Sequence, residues 1–262
     1  MSDVVRDQVR QVVRKQYSQV AESAGCCSGP SCCGTSSPDA VSQALGYSAD
    51  ETAAVPAGAN MGLGCGNPQA IANLKPGETV LDLGSGGGFD CFLAARQVGA
   101  AGRVIGVDMT PAMLSKARDN AEKGGFSNVE FRLGEIEHLP VADRSVNVIL
   151  SNCVINLSPD KQRVFNECYR VLEPGGRLAI SDVVAFAELP AHIREDMALL
   201  TGCMAGASPI SEVTEMLHAA GFEDVRIQPK EESKSFIREW APGTPITDYV
   251  VSASIEAVKP AG

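Results

Sequence analysis

Short apolar runs alternate with segments of helical spacing from residue 79 onward. Runs of this length are typical of buried strands, and their alternation with helices predicts a parallel sheet with crossover helices. Two later strand-like runs finish the chain. The predicted strands cover residues 79–83, 103–108, 129–133, 146–151, 177–184, 224–228 and 249–257.

Residues that start helices lie between these strands. Thr110 is placed to cap a helix whose first residue is Pro111. Ser158 and Pro159 repeat this arrangement before a helix predicted at 161–172. A hydroxyl side chain followed by proline is typical of a helix N-terminus. The hydroxyl oxygen accepts a hydrogen bond from an unpaired backbone N–H, and the first turn of a helix accommodates proline.

The first part of the chain follows a different pattern. Residues 3–22 place valines among charged positions, which predicts an amphipathic helix. This helix continues into AGCCSGPSCCGTSSPDA, a segment without periodicity that indicates a loop or flexible arm.

Charge narrows the class of partner. The 262 residues include 32 acidic and 22 basic side chains, for a formal net charge of −10. Binding a phosphate backbone requires basic patches, and none is evident, so we expect a small-molecule partner and no nucleic acid. The opening MSDVVRDQVRQVVRKQ contains no continuous apolar stretch, so we expect neither a signal peptide nor a membrane partner, and a cytoplasmic protein.

The segment VLDLGSGGGFD places Asp82 at the end of the first strand, before a glycine-rich loop that opens a helix. Glycine is needed there because the turn is tight and a ligand must approach bare backbone. Similar loops receive a pyrophosphate in NAD enzymes. A carboxylate directly before the loop is better suited to the ammonium group of an amino-acid-bearing cofactor. The loop residues expected to bind this cofactor are Gly84, Ser85, Gly86 and Gly88.

Further cofactor contacts are expected where later strands end. Asp108 ends the second strand, where an acidic side chain takes both hydroxyls of a ribose, and Met109 lies beside it. After the third strand, Glu135 is available for the amino group of an adenine and the Ile136 backbone for a ring nitrogen. Asn152 follows the fourth strand at the same edge.

This order of acidic strand ends around a glycine loop resembles the class I S-adenosylmethionine methyltransferases, and EPGGRLAISD is similar to their late landmark. The resemblance covers about residues 75–184. It implies an α/β, Rossmann-like fold with a seven-stranded, mostly parallel sheet, helices on both faces and an antiparallel last hairpin. S-adenosylmethionine is then the expected cofactor. We expect three parts: a helix and Cys-rich arm at 1–55, a cofactor-binding domain at 56–184, and a C-terminal region at 185–262 that completes the sheet and the acceptor site.

Nine cysteines are unusual in a chain of this kind, and they indicate thiols for metal, redox or nucleophilic chemistry rather than structural disulfides. Three of them lie on loops that can reach the carboxyl ends of the strands, where open α/β sheets bind ligands. These are Cys65, Cys153 and Cys203. Cys91 and Cys168 lie on apolar helix faces, which is typical of core packing.

Three converging thiolates form a soft site of low coordination number, and soft ligands select soft ions. Trivalent arsenic takes three sulfurs in a pyramid and keeps a lone pair. The expected reaction is transfer of the sulfonium methyl group of S-adenosylmethionine to that lone pair, with release of S-adenosylhomocysteine. The contribution of the protein is chiefly positioning.

At GLGCGNP, DLGSGGGFDCF, SNCVINL and LLTGCMAG the sequence resembles the arsenite methyltransferases, nearly throughout the chain beyond residue 45. The resemblance implies that Cys65, Cys153 and Cys203 match the three arsenic-binding cysteines of that family. It also implies an auxiliary N-terminal cysteine that forms a disulfide, with thioredoxin or glutathione as the reductant. The candidates for this cysteine are Cys26, Cys27, Cys32 and Cys33.

Several alternatives stay open at this point. The arm could instead capture metalloid or hold zinc, although adjacent cysteines are poorly suited to a zinc site. The whole chain could sequester metalloid without catalysis, or methylate a small organic acceptor such as a quinone or sterol. A lone-pair nucleophile needs no general base, so no role is assigned to His138, His192 or His218. Trp240 either anchors the core or lines the acceptor entrance.

Overall fold

Seven strands form one sheet in the order β3-β2-β1-β4-β5-β7-β6. The computed structural model describes residues 2–22, 37–194 and 196–262. Strands β1 to β5 are parallel, and β7 is antiparallel to both β5 and β6. The strands are β1 Thr79–Leu83, β2 Arg103–Asp108, β3 Val129–Leu133, β4 Val146–Asn152, β5 Leu172–Ala185, β6 Glu223–Lys230 and β7 Val250–Val258. This confirms the predicted sheet and its last hairpin.

Helices connect the parallel strands and frame the ends of the sheet. They are α1 Asp3–Glu22, α2 Pro38–Ala44, α3 Ala49–Ala53, α4 Gln69–Ala72, α5 Phe89–Val98, α6 Pro111–Gly124, α7 Lys161–Val171, α8 Ala191–Arg194, α9 Met197–Thr201, α10 Ile210–Ala220 and α11 Lys234–Trp240. Within the described ranges, no helix is both long and apolar enough to cross a membrane.

Both faces of the sheet are covered because successive strand residues point to opposite sides. On one face, Val80 and its neighbours pack against α5 and α6 in a cluster that includes Cys91. On the other face, Leu81 packs with residues of α7 and α10 in a cluster that includes Cys168. Both cysteines are fully buried, which confirms that they belong to the core.

The start of α7 differs from the sequence prediction. Asp160, not Ser158, is the N-cap, since its carboxylate accepts the backbone N–H of Arg163. Ser158 instead donates its hydroxyl to Glu137 and accepts the backbone N–H of Asp160. A carboxylate is at least as good a cap as a hydroxyl and also suits the positive end of the helix dipole.

The amphipathic helix predicted at 3–22 is present as α1, and it packs across the sheet edge near α6 and α9. Its arginines hold it there through ion pairs. Arg6 pairs with Asp160, and Arg10 and Arg14 pair with Glu135. The Cys-rich segment that follows, with Cys26, Cys27, Cys32 and Cys33, lies outside the described residues.

Candidate active site

A cavity of about 390 Å³ opens at the carboxyl ends of the parallel strands. This is the edge at which open α/β sheets bind ligands. Residues of α1, of the segment before β1 and of the C-terminal region close its sides. Eight of the ten predicted cofactor residues line it: Asp82, Gly84, Ser85, Gly86, Asp108, Met109, Ile136 and Asn152.

The glycine-rich loop between β1 and α5 uses its glycines in different ways. Gly84 has a φ of +67°, and a Cβ there would lie 2.5 Å from Cγ2 of Val154, the residue after Cys153. Gly88, the N-cap of α5, has a φ of +93°, and a Cβ would lie 2.7 Å from the Phe92 ring. These two glycines therefore allow close packing, and Gly88 does so outside the cavity lining.

Gly86 differs because its missing side chain leaves room for a ligand. Its φ is +51°, and a Cβ there would meet nothing within 4 Å although the residue lines the cavity. Beside it, the hydroxyl of Ser85 is buried and has no hydrogen-bond partner among the described residues. Bare backbone and an unpartnered buried hydroxyl fit a polar ligand in this loop.

The difference between Gly86 and Gly99 provides a test of this reading. Both have a positive φ and open space around the Cβ position, but only Gly86 lines the cavity. Alanine should cost the Gly86 protein about 1–2 kcal/mol of unfolding free energy from backbone strain. It should cost the Gly99 protein as much or more, up to about 3 kcal/mol, because the ψ of −173° there lies in a region that glycine alone adopts readily. We expect Gly86→Ala to weaken S-adenosylmethionine binding at least roughly tenfold, or about 1.4 kcal/mol, and Gly99→Ala to leave it unchanged. Titration calorimetry with urea unfolding measures both quantities, and equal affinities in the two variants would contradict the assignment.

Three buried carboxylates, Asp82, Asp90 and Asp108, line the cavity. Burial raises the pKa of all three, and the mutual repulsion of Asp82 and Asp90 raises that of Asp82 further. In the part of the chain that the structure describes, no lysine or arginine is paired with any of them. A ligand that carries positive charge therefore fits this cavity.

The two acidic strand ends differ in their hydrogen bonds. The Cys91 thiol donates to Asp82 at 3.2 Å, so this carboxylate keeps most of its acceptor capacity. Asp108 accepts the backbone N–H of Gly86 at 3.0 Å and that of Thr110 at 2.8 Å, one on each oxygen. These bonds fix the orientation of the Asp108 carboxylate and leave one acceptor position on each oxygen for a ligand.

Glu135 corrects the sequence prediction. Its side chain forms ion pairs with Arg10 and Arg14 of α1 and does not line the cavity. Gly134, Ile136 and Glu137 line it instead. The offset from the end of β3 identified the correct turn, but the carboxylate that lines the cavity there is Glu137, which shares Arg10 with Glu135.

The three loop cysteines converge beside the cofactor edge. Cys65 lies between α3 and α4, Cys153 directly after β4, and Cys203 two residues after the end of α9. The sulfurs of Cys65 and Cys153 lie within 4.8 Å of each other. The Cys203 thiol donates to the Cys153 backbone carbonyl, and Cys203 packs against Cys153. Cys153 and Cys203 line the cavity, whereas Cys65 is buried just behind it.

Unusual backbone geometry places two of these thiols. Cys153 and Cys203 adopt φ values of +58° and +64°, in the left-handed region that non-glycine residues rarely enter. The Cys203 thiol donates to the backbone carbonyl of Cys153, which joins the two loops. Strain of this kind is maintained only where the surrounding structure imposes it, and it clusters at functional sites.

Asn152 holds the Cys65 loop in place. Its amide oxygen accepts the backbone N–H of Cys65 at 3.0 Å, and its amide nitrogen donates to the Gly66 carbonyl at 2.8 Å. The same nitrogen donates to the Tyr47 hydroxyl, which in turn donates to Asp90. Asn152 was predicted to bind cofactor, and it does line the cavity, but its amide is already occupied by this network.

We therefore expect Asn152→Ala to raise the KM for arsenite by roughly tenfold, because two hydrogen bonds worth about 1 kcal/mol each position Cys65. The affinity for S-adenosylmethionine should change far less. Asn128→Ala is the matched control, since Asn128 also donates two hydrogen bonds, to Ala95 and Gly99, away from the cavity. Steady-state kinetics of both variants check this. A loss of cofactor affinity with an unchanged KM for arsenite would show that Asn152 binds the cofactor and does not position Cys65.

Two of the three thiols, those of Cys65 and Cys153, are held in their neutral form. The pKa of Cys153 is raised well above its usual range, chiefly by hydrogen bonds with Cys203 and Cys65 and then by burial. Burial also raises the pKa of Cys65. At neutral pH the cluster thus carries protons that a ligand must displace or take away.

Several residues of this site were missed by sequence reasoning. Asp182, near the end of β5, has a carboxylate oxygen within 4.8 Å of the Cys65 and Cys153 sulfurs. Lys161 is half-buried and donates to Gly206 and Ser208, just beyond Cys203. In the sequence, Asp182 could be noticed only as the last residue of EPGGRLAISD. Lys161 is the first residue of α7, and a lysine at the start of a helix gives no indication of a role in a site. Trp240, left open by the sequence, lines the cavity, and the three histidines do not.

The sheet order, the glycine loop and the cavity together define a class I S-adenosylmethionine-dependent methyltransferase. A family model described as a methyltransferase domain matches residues 74–221. The chain is 56% identical to the arsenite methyltransferase of Halobacterium salinarum, over 97% of this chain and 68% of that protein. With this relative and that model, the chain belongs to the arsenite methyltransferase family.

Other relatives match over shorter stretches. The human arsenite methyltransferase is 44% identical over 152 residues, which are 55% of this chain and 40% of that protein. The chain thus spans less than half of the human protein. The crystal structure of an arsenic(III) S-adenosylmethionine methyltransferase from Chlamydomonas reinhardtii superposes with a TM-score of 0.64 at 36% identity, covering 85% of this chain and 74% of that chain.

Proposed function

We propose that this protein transfers methyl groups from S-adenosylmethionine to trivalent arsenic bound by Cys65, Cys153 and Cys203. The observation that carries the proposal is the convergence of these three thiols at the wall of the cofactor cavity. Residues 56–184 contribute the cofactor site and two of the cysteines, and residues 185–262 contribute Cys203 and Trp240. The relatives named as arsenite methyltransferases support the same activity.

Specific side chains have the donors and acceptors that the cofactor requires. Asp82 would accept a hydrogen bond from the ammonium group of the methionine part, and Asp108 would accept hydrogen bonds from the ribose hydroxyls. The Ile136 backbone would contact the adenine. The backbone of the loop at Gly86 leaves room for the ligand. When bound, S-adenosylmethionine supplies a methyl group on a sulfonium sulfur, and the methyl group leaves that sulfur when the arsenic lone pair attacks it.

Neutral thiols suit the uncharged form of arsenite. Condensation of three thiols with one arsenous acid forms three As–S bonds and releases three waters, so the exchange adds no net charge to a buried site. The raised pKa values of Cys65 and Cys153 favour this neutral exchange over binding of a charged thiolate. Cys203, on the C-terminal loop, completes the pyramid of sulfurs.

The methylated product needs two electrons to return to trivalent arsenic, because its lone pair now forms the As–C bond. Oxidation of two thiols to one disulfide supplies those electrons. Glutathione or thioredoxin would reduce that disulfide, and one of Cys26, Cys27, Cys32 and Cys33 would be the auxiliary thiol. A reducing compartment such as the cytoplasm keeps these thiols available.

The direct test is arsenite-dependent conversion of S-adenosylmethionine with a labelled methyl group, with glutathione or thioredoxin present. We expect labelled methylarsenicals and stoichiometric S-adenosylhomocysteine. Arsenite binding without any consumption of cofactor would identify a sequestration protein instead. Tight cofactor binding with no arsenic product, and transfer to a quinone or sterol, would identify an organic acceptor.

A further inference from the structure

The carboxylate beside the acceptor thiols has a coordination position to spare. Asp182 is 2% exposed. One of its oxygens accepts the Val183 backbone N–H and the side-chain amide of Asn156, each at 2.8 Å. The other oxygen accepts one hydrogen bond, from the Ile155 backbone N–H at 3.0 Å. A carboxylate oxygen has about two lone-pair positions, so this second oxygen retains one.

The Asp182 carboxylate belongs to a compact set of ligand atoms. A carboxylate oxygen of Asp182 and the sulfurs of Cys65 and Cys153 all lie within 4.8 Å of one another. Among the residues that the structure describes, this is the one such grouping of potential metal ligands. Cys203 adds a third sulfur beside Cys153, because its thiol donates to the Cys153 backbone carbonyl and the two side chains pack in one cluster.

The oxygen is not explained by the arsenic chemistry. Three sulfurs satisfy trivalent arsenic, and a hard carboxylate oxygen adds nothing to a soft trigonal site. Cysteine sulfurs and carboxylate oxygens are, in contrast, both ligands of zinc, a tetrahedral ion of borderline softness. Zn–S bonds are about 2.3 Å long and Zn–O bonds about 2.1 Å. The sides of such a tetrahedron are about 3.6–3.8 Å, so the two sulfurs and the oxygen that lie within 4.8 Å of one another need to approach by roughly 1 Å. The Cys203 sulfur joins this set from outside the 4.8 Å grouping.

We propose that Cys65, Cys153, Cys203 and Asp182 also form a binding site for a divalent zinc ion, which competes with arsenite for the acceptor position. Zinc binding displaces the thiol protons into solvent, and no electron transfer is involved. Lys161 contributes to charge balance, because its electrostatic interactions include both Asp182 and Cys203. The competition with arsenite rests on the proposed function, whereas zinc binding itself does not.

The experiment uses the full chain with Cys26, Cys27, Cys32 and Cys33 replaced by serine, so that N-terminal thiols do not contribute. Equilibrium dialysis of the reduced protein against ZnCl₂, without S-adenosylmethionine, should give one zinc ion per chain. Cadmium as a probe should give sulfur-to-metal charge-transfer absorbance, which reports thiolate ligation. Asp182→Asn should lower zinc affinity roughly 10- to 100-fold more than it lowers arsenite affinity.

A second measurement keeps the proposal testable if Asp182→Asn folds poorly. On the unsubstituted full chain, zinc should raise the KM for arsenite without lowering kcat. Failure to bind zinc, equal losses of zinc and arsenite affinity in Asp182→Asn, or inhibition that excess arsenite does not relieve would each overturn the proposal. Zinc binding in a protein that never methylates arsenite would overturn the proposed function and leave the zinc site standing.

Discussion

Cys153→Ser should lower kcat/KM for arsenite methylation by roughly a thousandfold or more, which corresponds to about 4 kcal/mol. Cys153 is the central thiol of the three, since its sulfur lies within 4.8 Å of that of Cys65 and Cys203 packs against it. A serine hydroxyl is a hard ligand that does not replace a thiolate on a soft ion. Steady-state kinetics with arsenite as the varied substrate measures this loss.

Cys168→Ala is the matched control for that experiment. Cys168 is another buried thiol, but it packs on α7 in the core against Phe165 and does not line the cavity. We expect lower stability and nearly unchanged kcat/KM. Activity that survives Cys153→Ser, or that falls equally in Cys168→Ala, would show that the converging thiols do not hold the acceptor.

Asp82→Asn should weaken S-adenosylmethionine binding and, at the same time, make the unliganded protein more stable at neutral pH. The loss of a charge-assisted hydrogen bond is worth about 1.5–3 kcal/mol, or roughly a 10- to 100-fold change in dissociation constant. The gain in stability follows from the raised pKa of Asp82, which is caused by burial and by Asp90 and Asp108. Each kcal/mol gained should raise Tm by about 2–4 °C.

The sign of the stability effect depends on proton linkage. Because the folded pKa of Asp82 is raised, the folded chain retains this proton over a pH range in which the unfolded chain has lost it. Its contribution to stability therefore falls as pH rises from the ordinary carboxyl range through the raised pKa. The advantage of Asp82→Asn should shrink at acid pH and be largest at neutral pH.

Calorimetric melting of both proteins from pH 4 to pH 8, with and without S-adenosylmethionine, tests this second prediction. Asp143→Asn is the control, because Asp143 is 73% exposed and pairs with Arg170 away from the cavity. That variant should keep its cofactor affinity and nearly its Tm. An Asp82→Asn protein that melts lower than wild type at neutral pH would show that the carboxylate stabilises the unliganded fold.

The strands and the cofactor loop were predictable from sequence because their signals are local. The apolar runs and the glycine positions predict β1 to β4, and the structure has these strands. Asp82 and Asp108 were predicted from their places at strand ends, and both line the cavity. The convergence of Cys65 and Cys153 followed from the general rule that ligands bind at the carboxyl ends of parallel strands.

What could not be predicted depends on contacts between distant parts of the chain. Glu135 is absent from the cavity lining and pairs with Arg10 and Arg14, which lie more than a hundred residues earlier. The role of Asn152 in holding the Cys65 loop likewise depends on a pairing that no local pattern encodes. Asp182 joins the thiols only because β5 lies next to β4 in the sheet.

X-ray absorption at the arsenic edge of the protein with bound arsenite, in the background without the four N-terminal cysteines, tests the central claim most directly. We predict a single shell of three sulfurs, which loses one sulfur and gains an oxygen in each of Cys65→Ser, Cys153→Ser and Cys203→Ser. A shell that contains fewer than three sulfurs, or that is unchanged by any one of these substitutions, would contradict the three-cysteine arsenic site.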